Sequence, residues 1–425
     1  MISIDKTFSG VVIVAPIILG AFLSGILYLL EGFSIPLTIF QLTLVCGFIF
    51  FGLKKIITRD ISLEIYGLEI EYILFLTIIF LSLIYSPDRG EGLFYSVRYI
   101  TLLAMTYLIY NSINTISEFR IIIVVVVFSA LLVALKSIFD TYSNPEIIAF
   151  NYINAGRKLM RSAGDETDPN RFAISFAMPF MLLLNLVIVL KDKKLKTVLF
   201  GFLMLVIIAV LITYSRSTWV AFFFASAVAF KYHKKYSIIL YVFIFSLLIL
   251  IVSESAQTIL VSIIQRVKDI FAGSSDDSSN IRIMLFIGGM KMFFDSYMVG
   301  IGFHGFSTRF QEYFPTQETV GVYEAHNEYY RILAELGLVG FVVFIYILAK
   351  VVKVAITTIK ASSGIENTIA TSLFCSLIAY FIFFMFYADM LYNSLFFINI
   401  VLIFTLNKIV NASKNMQLQV GKATN

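Results

Sequence analysis

The sequence predicts an all-helical, polytopic membrane protein of about twelve transmembrane spans, and three observations carry that expectation. Apolar residues make up 59% of the 425 and charged residues only 14%. Apolar runs of spanning length recur along the whole chain, and lysine and arginine gather in alternate connections between them. Soluble domains carry roughly 25% charged residues, and a soluble chain this long would need polar surface for two or three domains. About 250 apolar residues at ~20 per span set a ceiling near twelve. That balance excludes a soluble enzyme, a secreted disulfide scaffold and a disordered chain. Cys46 and Cys375 both lie in apolar runs, so no disulfide framework is expected.

The runs lie near residues 10–30, 34–53, 68–86, 98–111, 119–140, 171–190, 196–214, 217–231, 237–253, 332–352, 366–387 and 391–407. The first, from Val11 to Leu30, is too long for the core of a signal peptide and reads as the first span. The fourth and eighth are short and are expected to tilt or extend into their flanks. Each is expected to be a helix, because lipid cannot satisfy an open backbone.

Orientation follows from the basic residues. With the N-terminus in the cytoplasm, the inner connections hold Lys54, Lys55 and Arg59, then Lys191, Lys193, Lys194 and Lys196, then Lys231, Lys234 and Lys235, and later Lys353 and Lys360. The inner density of Lys and Arg is roughly twice the outer, so both termini are expected to face the cytoplasm.

Two outer connections are too long for turns, near residues 141–170 and 254–331. The chain is therefore expected to divide into spans one to nine at 1–253, a large outer loop at 254–331, and spans ten to twelve with a cytoplasmic tail at 332–425. Within the large loop, Gly273 to Asn280 (GSSDDSSN) reads as a flexible polar stretch. Arg282 to Ser296 (RIMLFIGGMKMFFDS) is apolar and too short to span, which predicts an interfacial helix.

Three outer constellations have chemistry in them. Arg157 to Arg171 (RKLMRSAGDETDPNR) places four basic residues beside a helix start, with Asn170 expected as the cap after Pro169. It reads either as a solvated loop or as an anion site in which Arg161 and Arg171 are candidates. Arg216, in the short Tyr214–Ser217 connection, either snorkels to the headgroups or points into a cavity as a bidentate anion ligand. The third runs from Tyr323 to Gly340 (YEAHNEYYRILAELGLVG). Histidine is suited to proton transfer near neutrality, and only three are present. His233 lies in a basic inner loop, His304 in a glycine-rich turn, and His326 at the start of a helix on the outer side. Asn327 and Arg331 accompany it. Asp389, alone in the last outer connection, is a candidate for orienting His326 or an arginine. Tyr313, Tyr323, Tyr329 and Tyr330 read as ligand-stacking rings or as interface anchors. No metal cluster, nucleotide loop, dinucleotide fingerprint or nucleophile elbow is legible. Neither a metal nor a cofactor is expected, nor a nucleic-acid partner.

The phrases YSRSTWVA at 214–221, DPN at 168–170, GIG at 300–302 and above all AHNEYYRILAELGLVG at 325–340 resemble, in that order, the O-antigen ligase and polymerase superfamily. The resemblance implies a GT-C-like helical membrane fold and a glycosyltransferase using an undecaprenyl-pyrophosphate-linked oligosaccharide as donor at the outer face of the bacterial cytoplasmic membrane. It implies that His326 is the catalytic base and that Arg216 and Arg282 bind pyrophosphate and stabilise the leaving group. Single displacement would invert the sugar centre. The partners implied are the lipid-linked glycan, a glycan or lipid A–core acceptor, the bilayer, a chain-length regulator and a flippase. Polymerisation of repeat units is the leading expectation and ligation to lipid A–core the alternative. A transporter or flippase is a remoter one, because it would place charges in mid-span and broken helices in repeated halves.

Overall fold

The computed structural model describes residues 9–23, 38–60, 62–143, 150–154, 157–161, 168–235, 277–313 and 324–423. The expected ninth span at 237–253, the loop residues before Asp277, and Tyr323 lie outside the described residues. The helices are α1 Gly10–Phe22, α2 Ile39–Thr58, α3 Glu69–Ser82, α4 Arg89–Ser112, α5 Ile116–Ser143, α6 Pro169–Ser175, α7 Ala177–Val189, α8 Lys193–Leu211 and α9 Arg216–Tyr232. They continue with α10 Asp277–Asp295, α11 Phe306–Tyr313, α12 Glu328–Ala361, α13 Gly364–Phe383 and α14 Ser394–Ala423. Among the described residues eight segments are long and apolar enough to cross a membrane, with α6 and α7 together forming one of them. The helix α1 is a shorter apolar one. At the centre, α13 packs against α7 and α9, and α14 against α12 and α4. By contrast α2 leaves most of its apolar side chains exposed, as a lipid-facing helix does, and α8 buries only Leu203, Val206, Ala209 and Val210.

Three local expectations change. The connection at 141–170, expected to be outer, contains an antiparallel hairpin, Phe150–Asn154 with Arg157–Arg161, in which Phe150 pairs with Arg161. The cap of the sixth span is Asp168 rather than Asn170: its Oδ1 accepts from the amides of Asn170 and Arg171 at 2.6 and 3.2 Å, with Pro169 opening the helix. Finally, the described part of the expected flexible stretch, from Asp277, is already helix α10.

The connections sort into two sets that bond within themselves. Arg120 pairs with Glu366, Lys408 with Glu64, Lys350 with Glu71, and Glu118 receives hydrogen bonds from Ser9 and Gly10. At the other end Arg171 pairs with Asp389, Ser215 bonds Asn170, and Asn327 bonds Met385. The first set contains only connections expected to be inner, and the second only connections expected to be outer.

The helix that positions the end bearing His326 is α12. It is broken at Gly337 (φ 67°, ψ −168°), a conformation open essentially only to glycine. A break in apolar surroundings frees backbone groups that must find partners. Here the preceding segment supplies them: Ile301 and Gly302 amides donate to the carbonyls of Ala334 and Glu335 at 3.0 and 2.9 Å, and Leu338 donates to Met298 at 2.9 Å. Gly302 allows the approach, since a Cβ there would lie 2.4 Å from Ser86 Cα. Phe303 then bonds the end of α3, its amide to Ser82 and its carbonyl to Ser86.

On the turn before the break, Arg331 is buried between two carboxylates. Its guanidinium donates to Glu328 at 2.6 and 3.2 Å and to Glu335 at 3.2 Å. Glu335 in turn accepts the Phe306 amide that opens α11. Spacing of i, i+3 and i+4 puts the three on one helix face, and burial makes each charge depend on its partner.

Two outcomes follow. Gly337→Ala forces a Cβ to within 2.3 Å of the Met298 and Val299 carbonyls at positive φ, so membrane-inserted protein should fall several-fold and detergent melting temperature should drop, the backbone strain alone amounting to about 1–3 kcal/mol. Arg331→Met leaves two buried carboxylates unpaired and should destabilise by about 3–5 kcal/mol, read as loss of folded protein in the same melt.

Candidate active site

The segment Glu324–Asn327 enters α12 and presents His326. Asn327 caps the helix, its Oδ1 accepting from Tyr329 and Tyr330 amides at 2.9 and 3.2 Å. Its Nδ2 donates to the Met385 carbonyl at 2.9 Å, and the Glu328 amide donates to Phe384 at 3.0 Å. The head of α12 is thereby pinned to the end of α13. His326 itself sits at φ 51°, a left-handed conformation that few non-glycine residues adopt.

The imidazole lines a cavity of about 430 Å³ between α10, α12 and the Met385–Phe386 turn. Its wall is apolar and aromatic, with Phe286, Met290, Tyr330 and Phe341 prominent, and Arg282 is the charged side chain on it. Burial and the nearby Arg282 guanidinium both hold His326 below the usual imidazole pKa of 6.5, and Asp168 opposes them weakly. The ring is therefore neutral at physiological pH, with a lone pair available to accept a proton. A cation, a neutral base and an apolar wall thus share one cavity of ordinary ligand size.

Other expected site residues are placed differently. Arg171 is held by Asp389 through two hydrogen bonds of 2.9 and 2.6 Å, so Asp389 orients an arginine rather than His326 in this structure. Arg216 opens α9 and is exposed beside the Asn170 turn, to which Ser215 Oγ donates at 2.9 Å. Neither Arg171 nor Arg216 is on the cavity wall. Asn327 is on the wall, but its amide is spent on the cap and on Met385. Arg331 is turned away from an anion role, because its guanidinium is enclosed by Glu328 and Glu335. Arg161 ends the second hairpin strand. Among the tyrosines, Tyr329 and Tyr330 line the cavity, while Tyr313 donates to Asp295 at 2.8 Å. Among the described residues no group of three or more His, Cys, Asp or Glu side chains is arranged to hold a metal ion.

Sequence reasoning missed Glu324, Glu328 and Glu335. The last two carried a legible signal, since acids at i−3 and i+4 from an arginine inside an apolar helix mark a buried pairing. Glu324 had none: its neighbours Asp168, Arg171 and Asp389 are distant in sequence.

No curated protein matches the chain. Residues 200–345 match a family model described as O-antigen ligase, a stretch that includes Arg216, Arg282, His326, Asn327 and Arg331 and leaves Arg161, Arg171 and Asp389 outside. Over that third of the chain the protein is similar to O-antigen ligases, and the match supports the O-antigen ligase and polymerase superfamily to which the motifs pointed.

Proposed function

We propose that this protein is a membrane glycosyltransferase that uses an undecaprenyl-pyrophosphate-linked glycan as donor at the outer face of the bacterial cytoplasmic membrane and joins repeat units into a longer polysaccharide. The observation that carries this reading is the shared cavity of His326 and Arg282. His326 accepts the proton of the acceptor hydroxyl as its oxygen attacks the anomeric carbon. The bond from that carbon to the diphosphate oxygen breaks, and the electron pair leaves on the diphosphate. A guanidinium is permanently charged and bidentate toward phosphate oxygens, so Arg282 stabilises that developing charge without a change in its own protonation. Arg216, at the same end of the bundle, extends the positive field toward the headgroup layer. A single displacement of this kind inverts the sugar centre. The apolar wall suits the first carbons of a lipid chain, and the end of the bundle bearing His326 faces outward, with residues 254–331 as the outer loop and both termini in the cytoplasm. A chain-length regulator and a flippase are the protein partners of such a polymerase.

A second reading, transfer of the glycan to lipid A–core, is favoured by the description of the matching family model. The two differ only in the acceptor. Purified protein given a defined lipid-linked donor with either a second lipid-linked repeat or lipid A–core distinguishes them by which product forms.

His326→Ala is expected to lower transfer by at least about 100-fold while the protein stays inserted with unchanged melting behaviour; normal product from this variant refutes the assignment. Arg282→Lys and Arg216→Lys should each be severely impaired, since a point charge does not replace a bidentate clamp. The pH–rate profile provides an independent check. Because the His326 pKa is depressed, the neutral base should persist below pH 6.5 and activity should fall only as pH drops through the lower value. Arg282→Met removes one cause of the depression, so residual activity should be lost at a higher pH than in the parent.

A further inference from the structure

The end of the bundle remote from His326 carries a feature that the cavity chemistry does not use. Tyr232, the last residue of α9, donates from its hydroxyl to Asn367 in the first turn of α13 at 3.0 Å, whereas the far end of α13 holds the head of α12. Beside it His233 Nε2 donates to Oδ1 of Asn185, a buried residue near the end of α7, at 2.7 Å. The Asn185 amide nitrogen is taken by the Met181 carbonyl. This bond ties the end of α9 to α7 six residues before Lys191, roughly 9 Å by helical rise. Two lysine sets therefore share one edge: Lys191, Lys193 and Lys194 in the α7–α8 connection, and Lys231, Lys234 and Lys235 at the end of α9, all six exposed. The chain turns back at Lys234 (φ 54°), where the Lys234 and Lys235 amides donate to the carbonyls of Lys231 and Phe230 and keep the second set compact.

Six ammonium groups at one edge repel one another unless an anion joins them. Asp192, the carboxylate within the first set, caps α8, accepting from the Lys194 and Leu195 amides at 2.8 and 3.2 Å. Elsewhere at this end Arg120, Lys350 and Lys408 each hold a carboxylate, but among the described residues none of these six lysines does. Apolar side chains border the lysines directly. Val189, Leu195 and Val198 are 44%, 47% and 52% exposed, and so is Phe224 on α9 at 52%. An anionic phospholipid matches both features, its phosphate accepting from the ammonium groups and its acyl chains covering the apolar border. A free phosphate ester or an acidic peptide would satisfy the lysines and leave that border uncovered.

We propose that this edge is a binding site for an anionic phospholipid, with the phosphate seated between the two lysine sets and the acyl chains along α8 and α9. The His233–Asn185 bond is a positioning contact that fixes the spacing of the sets. The site is separate from His326 and Arg282, so its occupancy is read without glycosyl transfer. Delipidated full-length protein in neutral detergent is titrated with phosphatidylglycerol or phosphatidylcholine of matched acyl chains, and bound lipid is counted by native mass spectrometry. The wild type should hold phosphatidylglycerol at least about tenfold more tightly. Lys193→Gln, Lys194→Gln, Lys234→Gln and Lys235→Gln together should abolish that preference, and arginine at the same four positions should keep it. Lys353→Gln with Lys360→Gln, which neutralises exposed lysines on α12, should leave it within about twofold. His233→Ala keeps every lysine and should weaken phosphatidylglycerol binding several-fold, with melting temperature as the fold control. The site is overturned by a wild type without preference, by unchanged binding in the glutamine variant or in His233→Ala, or by equal loss in the α12 variant. Displacement of the lipid by equimolar glycerol 3-phosphate or by a glutamate-rich peptide would overturn it as well.

Discussion

A broken helix in an apolar environment must have its freed backbone groups satisfied, and the end of this protein that bears His326 is organised around one such break. Gly337 interrupts α12, and residues 298–302 repair the interruption with three backbone hydrogen bonds. The repair brings the Phe303 turn against α3 and sets the Glu335 carboxylate under the start of α11. Glu335 then shares Arg331 with Glu328, which fixes the first turn of α12. His326 stands immediately before that turn. Its placement therefore depends on backbone bonds and buried ion pairs rather than on the reach of a flexible loop.

Charge at this end is handled in three distinct ways. Arg331 is buried and neutralised, which gives rigidity and withholds the cation from solvent. Arg171 is half-buried and held by Asp389 through two charge-assisted hydrogen bonds. Arg282 is exposed on the wall of an apolar cavity beside a neutral imidazole. Three arginines of one residue type thus do different work, and only burial and neighbours separate them.

Most of the membrane architecture was legible because spanning helices leave the strongest of sequence signals, an uninterrupted apolar run of fixed length. Arg120–Glu366 and Arg171–Asp389 each join connections that the basic residues had assigned to one side. His326 stood out through scarcity. What could not be read was any property set by distant contact. Arg331 looked like another outer cation, because the sequence shows its spacing from Glu328 and Glu335 but not that the face is buried. Asp168 and Asn170 are both good caps, and only the fold chose between them. Glu324 acquires its neighbours from three separate connections, which no local pattern records.

The turn between α13 and α14 bonds α12 through the carbonyls of Phe384 and Met385. Main-chain hydrogen bonds are indifferent to residue identity, so these two do not depend on which side chains Met385 and Phe386 present to the cavity. The wall of the cavity can therefore be rewritten by mutation while the frame that aims His326 stays in register. A scaffold built this way can change what its cavity accepts without passing through unfolded intermediates.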